Sequence, residues 1–284
     1  MRVLITGAGG QLGHDTRLTC EAAGDDVVAC TRADLDVTSR DAVLAAITSV
    51  RPHAVIHCAA WTAVDACEGD PDRAFLDNAL AARWVAEGCS RVDAHLVHVS
   101  TDYVFDGTLV RPYNEWDTTN PTSVYGRSKL AGEVEASMLG MSSAIVRTSW
   151  VCGEHGNNMV KTVLRLADQH PRLAFVSDQI GHPTFTADLA PMLRRLAVDR
   201  RSGVHHLTNQ HVTSWFGFVQ EVVSLIGKDP AMVEPITTDA LDPPRPAPRP
   251  ANSVLDNAVA RMTGLPPMRD YREPLAELLH RLGR

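Results

Sequence analysis

The chain has 284 residues, 44% of them apolar and 21% charged, enough to bury a substantial core and to exclude a disordered polymer. Its formal net charge is −7 and neither sign forms a run of five or more, which argues against nucleic acid or an anionic membrane surface as a partner. The first apolar run is too short for a signal peptide, no stretch approaches the ~20 apolar residues of a membrane span, and the six cysteines show no C-x-x-C spacing, so a reduced, cytoplasmic protein is expected.

Short runs rich in valine, isoleucine and leucine alternate with longer segments of helical period, as in a parallel sheet covered on both faces. Strands are expected over 2–6, 26–30, 54–59, 95–100 and 144–148, and helices over 11–23, 39–50, 71–90 and 123–138. This alternation predicts an α/β fold, a doubly wound parallel sheet of Rossmann type, with the ligand at the carboxyl ends of the strands. After about Cys152 the rhythm changes to a helix over 157–169, a short strand over 173–176 and helices over 186–197, 214–226 and 252–262. The expected division is a cofactor-binding domain over 1–152 and a smaller C-terminal substrate-binding lobe over 153–284, partly interleaved with it. The proline-rich stretch 242–250 cannot be helix or central strand and is either a linker or a rigid arm over the site.

Gly7, Gly10 and Gly13 follow the first strand directly and open the first helix. A tight turn, close approach to a pyrophosphate and helix–strand packing need glycine at those three places, and the helix start offers free amides to phosphate. At the end of the second strand, where an acid would accept from a ribose 2′-hydroxyl, the sequence reads Cys30-Thr31-Arg32. Arg32 suits a 2′-phosphate and favours NADPH, with NADH also accepted; the bland alternative is a solvated loop residue. Asp36 is placed to meet the adenine or ribose edge.

Tyr125 and Lys129 stand at i and i+4 on one face of an expected helix, and Ser100-Thr101 ends the preceding strand. A phenol with pKa ~10 is a poor acid at neutral pH unless a nearby cation favours its phenolate, which Lys129 supplies. With the glycine pattern, this set resembles the extended short-chain dehydrogenase/reductase family. That resemblance implies that Thr101 orients a carbonyl oxygen, Tyr125 protonates it and Lys129 tunes the tyrosine. It also implies a cofactor cleft formed by Gly7, Gly10, Gln11, Leu12, Gly13, Arg32, Asp36, Val37, Ala59, Ala60, Tyr125 and Lys129.

Six ordered stretches, at 59–65, 100–107, 147–151, 156–158, 178–184 and 249–253, resemble the branch of the family that reduces the 4-keto group of dTDP-linked 6-deoxysugars such as dTDP-4-dehydrorhamnose. The implied partner is a nucleotide sugar, met by Thr101, Asp102, Tyr103, Trp150, Asn158, Arg249 and Asn252. Trp150 packs either on a sugar or base face or into the core, and Arg249 and Asn252 meet the diphosphate or the thymine. A reductase of another dTDP-4-keto sugar and a silent nucleotide-binding subunit stay open, as does a homodimer. No metal is expected: Asp15 alone does not make the family's magnesium site, and His205, His206 and His211 read as structural.

Overall fold

The computed structural model describes residues 1–138 and 142–284. Most of the continuous apolar runs form strands buried on both faces, with helices covering the sheet between them. In chain order the first half contains β1 (Arg2–Thr6), α1 (Gln11–Ala22), β2 (Asp26–Cys30), α2 (Arg40–Val50), β3 (Ala54–His57), α3 (Val64–Gly69), α4 (Pro71–Phe75), α5 (Ala81–Val92), β4 (His95–Thr101), α6 (Val124–Ser137) and β5 (Ser143–Thr148). The second half contains β6 (Val151–Cys152), α7 (Met159–Gln169), β7 (Leu173–Val176), β8 (Ile180–Gly181), β9 (Thr184–Phe185), α8 (Thr186–Val198), β10 (Gly203–His206), β11 (Thr213–Ser214), α9 (Trp215–Leu225), β12 (Val233–Ile236), α10 (Ala258–Met262) and α11 (Arg272–Arg281).

The central sheet has six parallel strands in the order β10-β5-β4-β3-β1-β2, so the strand order reverses between β1 and β3. That switch point opens a crevice at the carboxyl ends of the strands, where ligands of such sheets bind. On one face, Ile5, Ile56, Val97 and Val146 pack against Leu12 of α1 and Leu189, Leu193 and Leu196 of α8. On the other, Leu4, Val55, Leu96 and Ile145 pack against Val43 and Ile47 of α2 and Val85 and Cys89 of α5. A separate core gathers Val160 and Val163 of α7, Phe218 and Val222 of α9, and Leu275 and Leu278 of α11.

Two elements differ from expectation. The helix expected over 71–90 is broken by a π-helical turn, Leu76–Leu80. There the Asn78 carbonyl occupies the space that a Cβ at Gly132 of α6 would take, so the two backbones touch. The helix expected over 252–262 shrinks to α10, because Asn252 and Leu255 form extended bridges with Ile180 and Tyr113. From the second half, β10 and α8 return to complete the sheet and its helical cover.

Candidate active site

The glycine turn has the shape its spacing predicts. Gly7 has φ +69°, and a Cβ there would stand 2.7 Å from the Ala59 amide nitrogen, while one at Gly13 would fall on the Gly7 carbonyl oxygen. Gly10 caps α1 with no side chain, so the first amides of the helix face the crevice uncovered. A cavity of about 480 Å³ runs from this turn past Thr31, Arg32, Asp36 and Val37 to Ala59, Ala60 and Trp61. The guanidinium of Arg32 is exposed at its edge, whereas both nearby carboxylates serve their own turns. Asp34 accepts from the Thr31 amide and hydroxyl at 2.9 and 2.6 Å, and Asp36 from those of Thr38 at the same distances. The residues present therefore fit a dinucleotide, with a cation rather than a free acceptor beside the adenosine ribose.

A second cavity of about 390 Å³ shares Gly7, Gly10, Cys58 and Ala60 with the first and brings together Gln11, Leu12, Thr101, Asp102, Tyr103, Tyr125, Lys129 and Trp150. Ser123 caps α6 by accepting from the Gly126 amide at 3.0 Å, which fixes where Tyr125 enters the site. Burial pushes the Tyr125 phenol well above its ordinary value, and the hydroxyl of Thr101 opposes that by favouring the phenolate. Lys129 is buried and donates to the Val99 carbonyl at 2.7 Å; desolvation draws its ammonium down to about 8. Asp102 accepts from Thr101 Oγ1 at 2.9 Å through Oδ1, while Oδ2 has no partner, and burial raises this carboxyl to about 6. Asn78, on the π-turn, donates to Ser128 of α6 at 2.9 Å and to the Trp61 carbonyl at 3.1 Å, joining the helix to the cofactor wall.

Trp150 has φ +47°, a conformation that costs a non-glycine residue energy, and its indole lies flat on Trp215 at 3.6 Å and 9°. Gly181 leaves room for the ring, since a Cβ there would stand 2.9 Å from Trp150 Cε2. Tyr103 and Trp215 lead into a third cavity of about 290 Å³ that also holds Phe175, Arg245 and Arg249. Arg249 forks onto Asp65 at 2.9 and 2.8 Å, so the proline-rich arm is tied to α3 beside the cofactor cleft. With Arg249 engaged by Asp65, two further expected substrate ligands are committed elsewhere. Asn158 caps α7 and donates to Gln11 Oε1 and the Gly153 carbonyl, and Asn252 donates to the carbonyls of Leu109 and Arg111. Both are polar groups satisfying backbone, which residue type alone cannot distinguish from ligand binding. Trp215, Asp65 and Asn78 were not singled out from sequence; a tryptophan directly after the N-cap Ser214 was the one local signal.

His205 and His206 are buried on β10, and His206 Nδ1 lies 3.1 Å from the Tyr113 carbonyl. His14, Asp15 and His155 bring ligand atoms within 4.8 Å of one another; Arg17 reaches His14 Nε2 at 3.4 Å and Thr186 donates to Asp15. Among the described residues no helix is long and apolar enough to cross a membrane.

A doubly wound sheet with a glycine turn over a dinucleotide-shaped crevice, ending at Thr101, Tyr125 and Lys129, defines an NAD(P)-dependent oxidoreductase of the extended short-chain class. A family model described as the RmlD substrate binding domain matches residues 1–284, and the chain belongs to that family. It is 42% identical to the dTDP-4-dehydrorhamnose reductase of Streptomyces griseus over 282 residues, 97% of this chain and 92% of that protein. It is 44% identical to a probable dTDP-4,6-dihydroxy-2-methyloxan-3-one 4-ketoreductase of Streptomyces antibioticus over 281 residues, 98% of this chain and 94% of that protein. The structure of a dTDP-4-dehydrorhamnose reductase from Bacillus anthracis in complex with NADP superposes with a TM-score of 0.94 at 37% identity, covering 99% of each chain.

Proposed function

We propose that the protein reduces the 4-keto group of dTDP-4-dehydrorhamnose to give dTDP-L-rhamnose, using NADPH. The observation that carries this reading is the convergence of Thr101, Tyr125 and Lys129 at the point where the glycine-turn crevice meets the tryptophan-lined cavity. Residues 1–152 hold the cofactor along Gly7, Gly10, Gly13 and Arg32, and residues 153–284 close over the nucleotide sugar. The bound cofactor supplies the hydride. Thr101 and the Tyr125 hydroxyl polarise the carbonyl, Tyr125 gives its proton to the developing alkoxide, and the Lys129 ammonium stabilises the phenolate left behind. Trp150 and Tyr103 face the sugar, and Arg249 stands toward the diphosphate. The six free cysteines and the absence of a spanning helix among the described residues support a reducing, cytoplasmic setting.

The Streptomyces antibioticus relative favours a second reading, reduction of a different dTDP-4-keto sugar by the same residues. The test is to supply dTDP-4-keto-6-deoxy-L-lyxo-hexulose with NADPH, follow the loss of nicotinamide absorbance and identify the product. Formation of dTDP-L-rhamnose is expected. Turnover of other dTDP-4-keto sugars alone selects the second reading, and inactivity of folded protein on all of them rejects both.

A further inference from the structure

We infer that Glu133, with its buried partner Arg147, is a positioning residue that registers the catalytic helix on the end of β4 and preserves the charge of Lys129. This rests on the reductase reading above. Tyr125, Lys129 and Glu133 stand at i, i+4 and i+8 on one face of α6, and each meets a different member of three successive residues at the end of β4. Thr101 and Tyr125 line the same cavity, the Val99 carbonyl accepts from Lys129 at 2.7 Å, and Ser100 donates to Glu133 Oε1 at 2.5 Å. Arg147 of β5 then forks onto the same carboxylate, with Nε 2.9 Å from Oε1 and Nη2 2.7 Å from Oε2. The strand that carries Arg147 runs on directly into Thr148, Ser149 and Trp150, which line the substrate cavity. One ion pair thus joins the three elements that deliver the carbonyl-orienting, proton-donating and sugar-facing residues.

The side chains of Glu133 and Arg147 are each 6% exposed. Measured against apolar side chains of equal volume, a buried ion pair brings little or no net stability, so folding alone does not explain its presence. What it supplies is fixed geometry and a negative charge one turn from Lys129. Lys129 is enclosed by His57 and Cys58 from β3 and its following loop, His98 from β4, and Tyr125 and Glu133 from its own helix. Burial lowers its ammonium to about 8, and among the neighbouring charges Glu133 opposes this most. Burial also keeps His57 and His98 neutral, so neither adds a competing positive charge at neutral pH. On its far side Glu133 faces Arg147, and His206 of β10 stands 3.5 Å behind that guanidinium, neutral through burial.

The chain has only three lysines, Lys129, Lys161 and Lys228, so titration of Lys129 can be followed by ¹³C NMR of labelled lysine without reference to activity. E133Q keeps the volume and removes the charge; the Lys129 midpoint is expected to fall by about one pH unit, and the alkaline limb of kcat/KM with it. E133D keeps the charge and withdraws the carboxylate by one methylene, so the midpoint stays while kcat falls. The double variant E133L/R147M replaces the pair by apolar side chains and should keep Tm while repeating the shift seen in E133Q. An unchanged Lys129 midpoint in both charge-removing variants overturns the inference, as does failure of all three variants to fold at 25 °C, which would make the pair a scaffold element only. Should the wild type prove inert on every keto sugar, the functional reading fails while the NMR midpoint still decides the role of Glu133.

Discussion

A carboxyl sealed from water with one unpartnered oxygen is costly when ionised, and Asp102 is such a group. Its folded pKa is raised from 3.8 to about 6, so the native state loses stability as pH rises through 6 and recovers it fully below about 4. Asp102→Asn is therefore expected to add about 1–3 kcal/mol at pH 8 and almost nothing at pH 4. Urea unfolding at the two pH values checks this; an equal gain at both would mean that the cost is not one of ionisation. The cost is tolerated where Oδ1 accepts from the Thr101 hydroxyl and fixes the rotamer of that side chain at the site, so the same variant should lose kcat. Arg32 poses the opposite case, an exposed cation whose worth appears only with the cofactor. Charge-assisted bonds of an exposed arginine sit near the low end of ~1.5–3 kcal/mol, which gives roughly a tenfold preference for NADPH. Arg32→Ala should raise KM for NADPH, leave NADH nearly unchanged and abolish the narrowing that added salt causes in the wild type. Identical NADPH/NADH ratios of kcat/KM in the two proteins would make Arg32 a bystander.

At the scale of elements, α6 is held by contacts that leave no space. Gly132 lets the Asn78 carbonyl of the π-turn reach the helix backbone, and a Cβ at that position would collide with it. Because the obstacle is backbone rather than a flexible side chain, Gly132→Ala is expected to cost about 1–3 kcal/mol and to raise KM for NADPH through Asn78 and Trp61. Chemical denaturation and cofactor titration read the two effects, and a variant as stable as the wild type would show that the π-turn yields freely. The same place shows where sequence stops being informative. The five expected strands were legible because parallel strands buried on both faces read as unbroken apolar runs, and Thr101, Tyr125 and Lys129 were legible because their spacing is local. The π-turn was not, since the backbone it packs against is at Gly132, 54 residues beyond Asn78. Nor were Asn158 and Asn252 separable from ligand-binding residues, because the carbonyls they satisfy come from loops brought near only by the fold. The stacking of Trp150 on Trp215 joins positions 65 residues apart, so neither neighbourhood names the other ring as its partner.

At the scale of the whole molecule, the second half of the chain does more than cover a site. β10 pairs with β5 from Gly203–Ala144 to His206–Arg147, closing an edge of the sheet that would otherwise carry unpaired amides and carbonyls. From α8, Leu189, Leu193 and Leu196 are fully buried on the sheet face formed by Ile5, Ile56, Val97 and Val146, alongside Met192 and Ala197. At ~1.5–3 kcal/mol for each large apolar side chain, these contacts amount to about 5–10 kcal/mol, comparable to the whole stability of an ordinary domain. A fragment ending at residue 152 would expose that face together with the β5 edge. It is therefore expected to be insoluble or molten when expressed alone, although it carries the glycine turn and the full Thr101, Tyr125 and Lys129 set. A fragment extended to residue 210 regains α8 and β10 and should bind NADPH, with the α7, α9 and α11 core still incomplete. Near-ultraviolet circular dichroism and NADPH fluorescence on the two fragments decide the matter. Cooperative unfolding and cofactor binding by the shorter fragment would show that the first 152 residues are an independent folding unit and that α8 and β10 are additions to it.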